Sequence, residues 1–228
     1  MANHPIFAPT FHGNVDTVER LLREDGSLVA VRDAKNLTPL HVAASRGQSA
    51  VAQLLIDHGA DIEGPTGDGG WTPLVFAAYR GHADVAKVLI ENGAGVTWDH
   101  GNPIHYSGQR RHKEICRMLV EHGAIDGLID SDDPEILALF RGAYGYDSDS
   151  VNEILIRRPD LVNAEDIHGR TPLHEACTQG DTHTVRVLIQ HGADLTVRDS
   201  NDQTPADRAL AHNQKAVARI LDKHAKQS

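Results

Sequence analysis

The feature that most restricts the fold of this chain is an internal repeat. Residues 38–47 (TPLHVAASRG) return as residues 72–81 (TPLVFAAYRG) and as residues 171–180 (TPLHEACTQG). Each copy is followed by a second apolar segment that closes with Gly-Ala. The first two copies begin 34 residues apart, and the third is followed 33 residues later by Thr204-Pro205. A unit of this size cannot bury its own apolar face, so we expect neighbouring units to stack as a solenoid.

The chemistry of one unit predicts two short helices. Thr38 is suited to the N-cap, where its hydroxyl accepts a backbone N–H, and Pro39 tolerates the next position because no N–H is needed there. Gly47 stands about two turns later, where a left-handed residue ends the helix. A second helix follows with apolar residues at i, i+3 and i+4. The polar segment before the next unit, for example 194–203, is too short for a helix and predicts a hairpin-like connection, which we call a finger.

These elements resemble ankyrin repeats, because Thr-Pro-Leu-His, Ala-Ala-x-x-Gly and Leu-Leu-x-x-Gly-Ala recur in register. The resemblance implies an all-α solenoid of about seven helix-turn-helix units with hairpin-like fingers. We expect a single ankyrin-repeat domain over residues 1–228. The match is strong over 33–94 and 166–225, and the centre, 95–165, is irregular.

Composition limits the classes of function. The chain has 22 Lys and Arg against 32 Asp and Glu, a net charge of −10, so a nucleic-acid partner is not expected. No apolar run approaches the roughly 18 residues of a spanning helix, and no membrane association is expected. The N-terminal residues lack the pattern of a secretory signal, and two cysteines cannot form a disulfide framework. We therefore expect a cytoplasmic protein, and we expect it to be a monomer.

The fourth and fifth units depart from the repeat. Asn102, which stands at the Thr position, comes 9 positions after Gly93, whereas Thr204 comes 12 positions after Gly192, so the fourth finger is shortened. The fifth unit lacks Thr-Pro, and Asp133-Pro134 is its predicted helix start, with a first helix about five residues longer than usual. Such a place indicates either a functional site or the seam of a duplication.

Aromatic residues are concentrated near this irregular region, since all Trp and Tyr residues lie between positions 71 and 146. In ankyrin repeats the fingertips and the two residues before the mid-unit glycine face the concave groove. That register implies groove-facing rings at Trp71, Tyr79, Trp98 and Tyr146, and places Tyr106 and Tyr144 nearer the packing positions. Exposed Trp and Tyr often anchor interfaces. The alternative is that these rings fill space left by the irregular repeats.

A column of arginines follows the same register. Arg46, Arg80 and Arg110 occupy equivalent positions near the end of the first helix in successive units. They are either solvated surface residues or a basic strip that pairs with carboxylates, for which a planar guanidinium is well suited. The predicted partner-binding residues are therefore Arg46, Trp71, Tyr79, Arg80, Trp98, Arg110 and Tyr146.

Most of the 15 histidines occupy recurring structural positions. His112 and Cys116 are four residues apart, but no second pair of that spacing exists, so we expect no metal site and no cofactor. The sequence thus predicts a non-catalytic module that binds a partner protein or peptide through the concave groove, and the arginine column favours an acidic partner. The alternative hypothesis is a small-molecule site or an enzyme in repeats four and five around His100, His105 and Tyr106.

Overall fold

The computed structural model describes residues 4–67, 70–97 and 101–225, and this part of the chain is all-helical, as predicted. Its α-helices are α1 Phe7–His12, α2 Val15–Glu24, α3 Pro39–Arg46, α4 Ser49–Asp57, α5 Pro73–Arg80, α6 Ala83–Glu91, α7 Pro103–Gln109, α8 Lys113–Glu121, α9 Pro134–Gly145, α10 Ser148–Arg157, α11 Pro172–Gln179, α12 Thr182–Gln190, α13 Pro205–Ala211 and α14 Lys215–Ala225. Short 3-10 turns cover Gly26–Ala30, Asp126–Leu128 and Pro159–Leu161.

The chain groups into two compact units, residues 1–110 and 111–228. The expectation of a single domain over 1–228 stays a prediction. In the first unit, α1, α3, α5 and α7 stack side by side in one row, which we call the first row, and α2, α4 and α6 form a second row. Leu40, Leu55, Leu74 and Leu89 are fully buried between the rows. The apolar spacing seen in the sequence therefore marks the surfaces that pack.

The helix starts and ends follow from the repeated residues. Thr38 caps α3 and Thr72 caps α5 through their side chains, and each helix has Pro at its first position. Gly47 and Gly81 end these helices with φ of 74° and 80°, a left-handed conformation that costs glycine little. The predicted caps and left-handed ends are present.

Side-chain to backbone hydrogen bonds join neighbouring repeats within a unit. The Nε2 amide of Gln48, just after the helix-ending glycine, donates to the Phe11 carbonyl at 3.2 Å, and Gln214 donates to the Thr178 carbonyl at 3.1 Å in the same way. These bonds satisfy carbonyls near the C-terminal ends of the preceding helices. Together with the apolar contacts, they hold neighbouring repeats against each other.

In the second unit, α9, α11 and α13 form the first row, α10, α12 and α14 form the second row, and α8 packs against α9. The buried core includes Leu139, Val151, Leu173 and Leu188. Helix α9 has 12 residues against 8 in α3, and its start is capped by Asp133, which accepts the Glu135 N–H at 2.9 Å.

A buried polar network distinguishes the first row of the second unit. Arg170 lies 3.4 Å from Glu175, and Arg208 lies 3.1 Å from Asp199 and donates through Nε to Thr178 at 2.9 Å. Burial raises the pKa of the Glu175 carboxyl, against the attraction of the two arginines. All four of these charged side chains are buried, so this part of the first row is packed rather than open to a partner.

Candidate interaction surface

The surface with the largest share of the predicted site residues lies on the first row of the first unit. The finger before α5 ends in Trp71, whose carbonyl accepts hydrogen bonds from the Thr66 N–H at 3.1 Å and from His41 Nε2 at 3.1 Å. The backbone at this position is therefore fixed from two sides. The indole itself is held by ring contacts instead.

Four rings meet at this point and are each half-buried. The centroid of Trp71 lies 4.6 Å from that of Tyr106, 5.2 Å from Phe76 and 5.2 Å from Tyr79. Phe76 and Tyr79 are three residues apart and so share one face of α5. Tilted and edge-on contacts at these distances stabilise an aromatic cluster beyond its buried area. The cluster gives the surface a preformed apolar centre.

Arginines surround this centre. The guanidinium carbon of Arg110 lies 4.2 Å from the centroid of Tyr79, and the same guanidinium donates to the Tyr79 hydroxyl. Arg80 lies 5.8 Å from that ring. Both arginines are exposed, and neither forms an ion pair with a carboxylate in the part of the chain that the structure describes. We call this surface the aromatic–arginine patch; it consists of Trp71, Phe76, Tyr79, Arg80, Tyr106 and Arg110.

Arg46 stands one repeat earlier in the same column and is also exposed. Its guanidinium carbon lies 3.8 Å from the ring centroid of Phe11, which is 39% exposed. Cation–π contacts of this kind hold an arginine over a ring while its N–H donors stay available. The predicted arginine column is thus present as an exposed feature, with each member against an aromatic ring.

Tyr146 does not lie where the sequence register placed it. It was expected to face the groove, but it is only 5% exposed, its hydroxyl donates to the Gln179 carbonyl at 2.6 Å, and burial raises the pKa of its phenol. The reason is a register shift of one residue: Tyr146 itself ends α9 at φ 60°, the position held by Gly47 in α3. Tyr144 therefore takes the position of Tyr79, and it too is buried.

Of the other residues that the sequence singled out, some lie in or beside the patch and others lie outside the described residues. Trp98 and His100 lie outside the described residues. Tyr106, expected nearer the packing positions, stacks on Trp71 instead. His105 lies beside Tyr106, with 5.4 Å between ring centroids, and its Nε2 is 2.9 Å from the amide of Gln109.

Two ring residues of this surface were missed by the sequence reasoning, which considered Trp and Tyr alone. The ring of Phe76 contacts Trp71 within the cluster, and the ring of Phe11 contacts the guanidinium of Arg46. The signal was present, because Phe11 and Tyr79 each stand two residues before a helix-ending glycine. Phe76 stands three residues before Tyr79, on the same helix face.

The described residues were also predicted to hold no metal site. Within residues 4–67, 70–97 and 101–225, no group of three or more His, Cys, Asp or Glu side chains is arranged to hold a metal ion. None of the described helices is long and apolar enough to cross a membrane. Cys116 and Cys177 are both buried and neither forms a disulfide, and burial raises the pKa of the Cys177 thiol.

Comparison with known families agrees with this architecture. The family model described as "Ankyrin repeats (3 copies)" matches residues 4–66, 63–133 and 136–227. The chain belongs to the ankyrin repeat family. Ankyrin repeats are generally protein–protein interaction modules.

Solved structures show the same fold. The ankyrin repeat domain of human ASB11 has a TM-score of 0.63 at 24% identity and covers 96% of this chain and 98% of that one. The ankyrin repeat domain of Bcl-3, a member of the IkappaB protein family, has a TM-score of 0.60 at 22% identity and covers 96% and 99%.

Sequence relatives match over shorter stretches. The serine/threonine-protein kinase VIK of Arabidopsis thaliana is 37% identical over 83 residues, which is 36% of this chain and 19% of the kinase. A putative ankyrin repeat protein of fowlpox virus is 29% identical over 89 residues, which is 39% of this chain and 13% of the viral protein. The chain thus spans less than a fifth of the length of either relative.

Proposed function

We propose that the chain is a non-catalytic recognition module whose aromatic–arginine patch binds an acidic segment of a partner protein. The observation that carries the proposal is the pairing of a half-buried ring cluster with exposed arginines that have no carboxylate partner among the described residues. Interfaces take most of their binding energy from such aromatic and arginine anchors. A guanidinium binds a carboxylate through two parallel hydrogen bonds, which selects for an acidic partner.

The geometry also assigns different roles within the patch. Trp71 contacts three other rings, so its loss would loosen the cluster as well as the partner contact. Arg80 is exposed, and its guanidinium carbon lies 5.8 Å from the centroid of Tyr79, so its replacement removes a charge with little change in packing. Arg80 is therefore the better position for testing recognition separately from stability.

The test compares two variants that each remove one exposed positive charge from the same repeat. Random peptides displayed on phage are selected against the folded chain, and the selected peptides are measured against Arg80→Gln on α5 and Lys87→Gln on α6. We expect the peptides to be rich in Asp and Glu and to lose about fivefold in affinity, roughly 1 kcal/mol, with Arg80→Gln alone. Equal binding to both variants, or peptides without acidic residues, would contradict the proposal.

A further inference from the structure

A second charged surface lies in the second unit, at two helices of the second row. Helices α12 and α14 border a groove of about 450 Å³. Its lining contains Arg186, Arg219, Lys223 and His224 around Ala216 and Ile220, and it contains no carboxylate. Arg186, Arg219 and Lys223 are exposed and form no ion pair within the described part of the chain. We call this surface the basic groove.

Two earlier second-row helices have an acidic residue paired at the equivalent positions. In α4, Gln53 donates to Asp57 at 2.8 Å, and in α6, Lys87 lies 3.9 Å from Glu91. Each pair joins residues i and i+4 on one helix, an arrangement that stabilises exposed helices.

The last two second-row helices lack the acidic member of this pair. The equivalent residues are Arg186 with Gln190 in α12 and Arg219 with Lys223 in α14. Like charges one turn apart repel each other, so α14 carries an unfavourable pair where α6 carries a favourable one. The nearest carboxylate in sequence, Asp222, lines a separate apolar groove. Among the described residues no carboxylate forms an ion pair with Arg186, Arg219 or Lys223, so their charge is available to an acidic partner.

The cations of the groove come from both of its helices. Arg186 lies on α12 and Arg219 on α14, so their guanidinium groups line the groove from neighbouring helices. Arg219 and Lys223 are one turn apart along α14, the spacing of carboxylates at i and i+4 on a bound helix. Ile220 and Ala216 provide an apolar floor for the other side chains of such a helix.

We propose that the basic groove binds an acidic amphipathic helix of a partner protein. Nucleic acid fits less well, because its affinity grows with the number of phosphates neutralised, and this groove offers few cations in a chain of net charge −10. An apolar floor also has no counterpart in a phosphate backbone. The basic groove shares no residue with the aromatic–arginine patch and does not depend on the function proposed for that patch.

The experiment uses two synthetic helical peptides of the same length, one with Glu at every fourth position and Leu on one flank, the other with Gln replacing each Glu. Binding to the full chain is followed by backbone amide chemical shifts. We expect the Glu peptide to shift amides of α12 and α14, and the double variant Arg186→Gln, Arg219→Gln to weaken it about tenfold. The matched control is Arg20→Gln with Lys87→Gln, which removes two exposed cations from second-row helices whose charges are paired within the helix.

The outcomes separate this proposal from its rivals. Shifts in α12 and α14 that persist in Arg80→Gln support the basic groove whatever happens at the aromatic–arginine patch. Equal binding of the Gln peptide, or an undiminished affinity for the Arg186→Gln, Arg219→Gln variant, would overturn the proposal. Tighter binding of duplex DNA, or of vesicles containing phosphatidylserine, than of the Glu peptide would also overturn it and assign the groove to that anion.

Discussion

Two histidines show how one side chain can organise a finger and a helix together. Thr38 N–H donates to His41 Nδ1 at 3.2 Å, so that nitrogen is an acceptor, and the proton on Nε2 is donated to the Trp71 carbonyl at 3.1 Å. His174 repeats this arrangement with Thr171 and with the Gln203 carbonyl, both at 3.1 Å. Both imidazoles are thus held in the neutral form with a defined tautomer.

This arrangement predicts a loss of stability on mild acidification. Burial lowers the pKa of His41 and of His174 below the ordinary 6.5. On acidification, the two histidines take up protons in the unfolded chain before they do so in the folded chain. The stabilisation that the neutral histidines contribute is therefore fully present above pH 6.5, and it is lost as the pH falls through their lower folded-state pKa. Urea unfolding at several pH values should give a shallower decline below pH 6.5 for His41→Gln, His174→Gln than for the unchanged chain. An identical decline would show that other groups cause it.

Local chemistry of this kind was readable from the sequence, whereas the register of Tyr146 was not. Thr-Pro-Leu-His carries its own caps and hydrogen bonds within a few residues, so its structure follows from the motif. Helix α9 lacks that motif and ends at Tyr146 rather than one residue later. One residue turns a side chain by about 100° around a helix, which is enough to move Tyr146 from the surface to the interior.

Helices α9 and α10 illustrate a packing feature that periodicity does not reveal. The two helices approach each other closely at Gly142. A Cβ added there would lie 2.7 Å from Val151 Cγ2 and 3.2 Å from the Asp147 carbonyl oxygen. Val151 is fully buried, so it has little room to move away. The sequence predicted a long helix here from Asp133-Pro134, but not the close approach that Gly142 permits.

Gly142→Ala should therefore destabilise the chain although alanine is the better helix former. Alanine gains about 1 kcal/mol of helix propensity, and overpacking against Val151 costs typically 1–3 kcal/mol, so we expect a net loss of about 1 kcal/mol. Gly127→Ala is the matched control, because its Cβ would meet no atom within 4 Å. Chemical denaturation of both variants measures the difference, and equal free energies of unfolding would refute the close contact.

Charge is distributed unevenly along the chain, and both proposed surfaces contain exposed positive side chains. The net charge is −10, yet exposed cations that form no ion pair among the described residues recur at Arg80 and Arg110 in the first unit and at Arg186 and Arg219 in the second. Family membership and an all-helical fold followed from the repeat, because stacking needs only recurring caps, small residues and apolar faces. The choice of partner depends on side chains that vary between repeats. The sequence therefore predicted which residue types recur in a column, but not which partner they bind.

Electrostatic attraction at these surfaces predicts a specific salt dependence. For an acidic peptide selected against the aromatic–arginine patch, the association rate should fall as salt rises from low to physiological concentration, with less change in the dissociation rate. Stopped-flow mixing at several salt concentrations measures both rates. The salt dependence should be smaller for Arg80→Gln and Arg110→Gln than for Lys87→Gln, and equal slopes would argue against attraction by the patch.

The central claim, that the aromatic–arginine patch is a protein-binding surface, is tested most directly by oxidative footprinting with and without a saturating selected peptide. Trp71, Tyr79 and Tyr106 are half-buried in the free chain and hence still reachable by a small oxidant. The account predicts that the bound peptide slows oxidation of these three rings. Unchanged oxidation of all three at saturating peptide would contradict it.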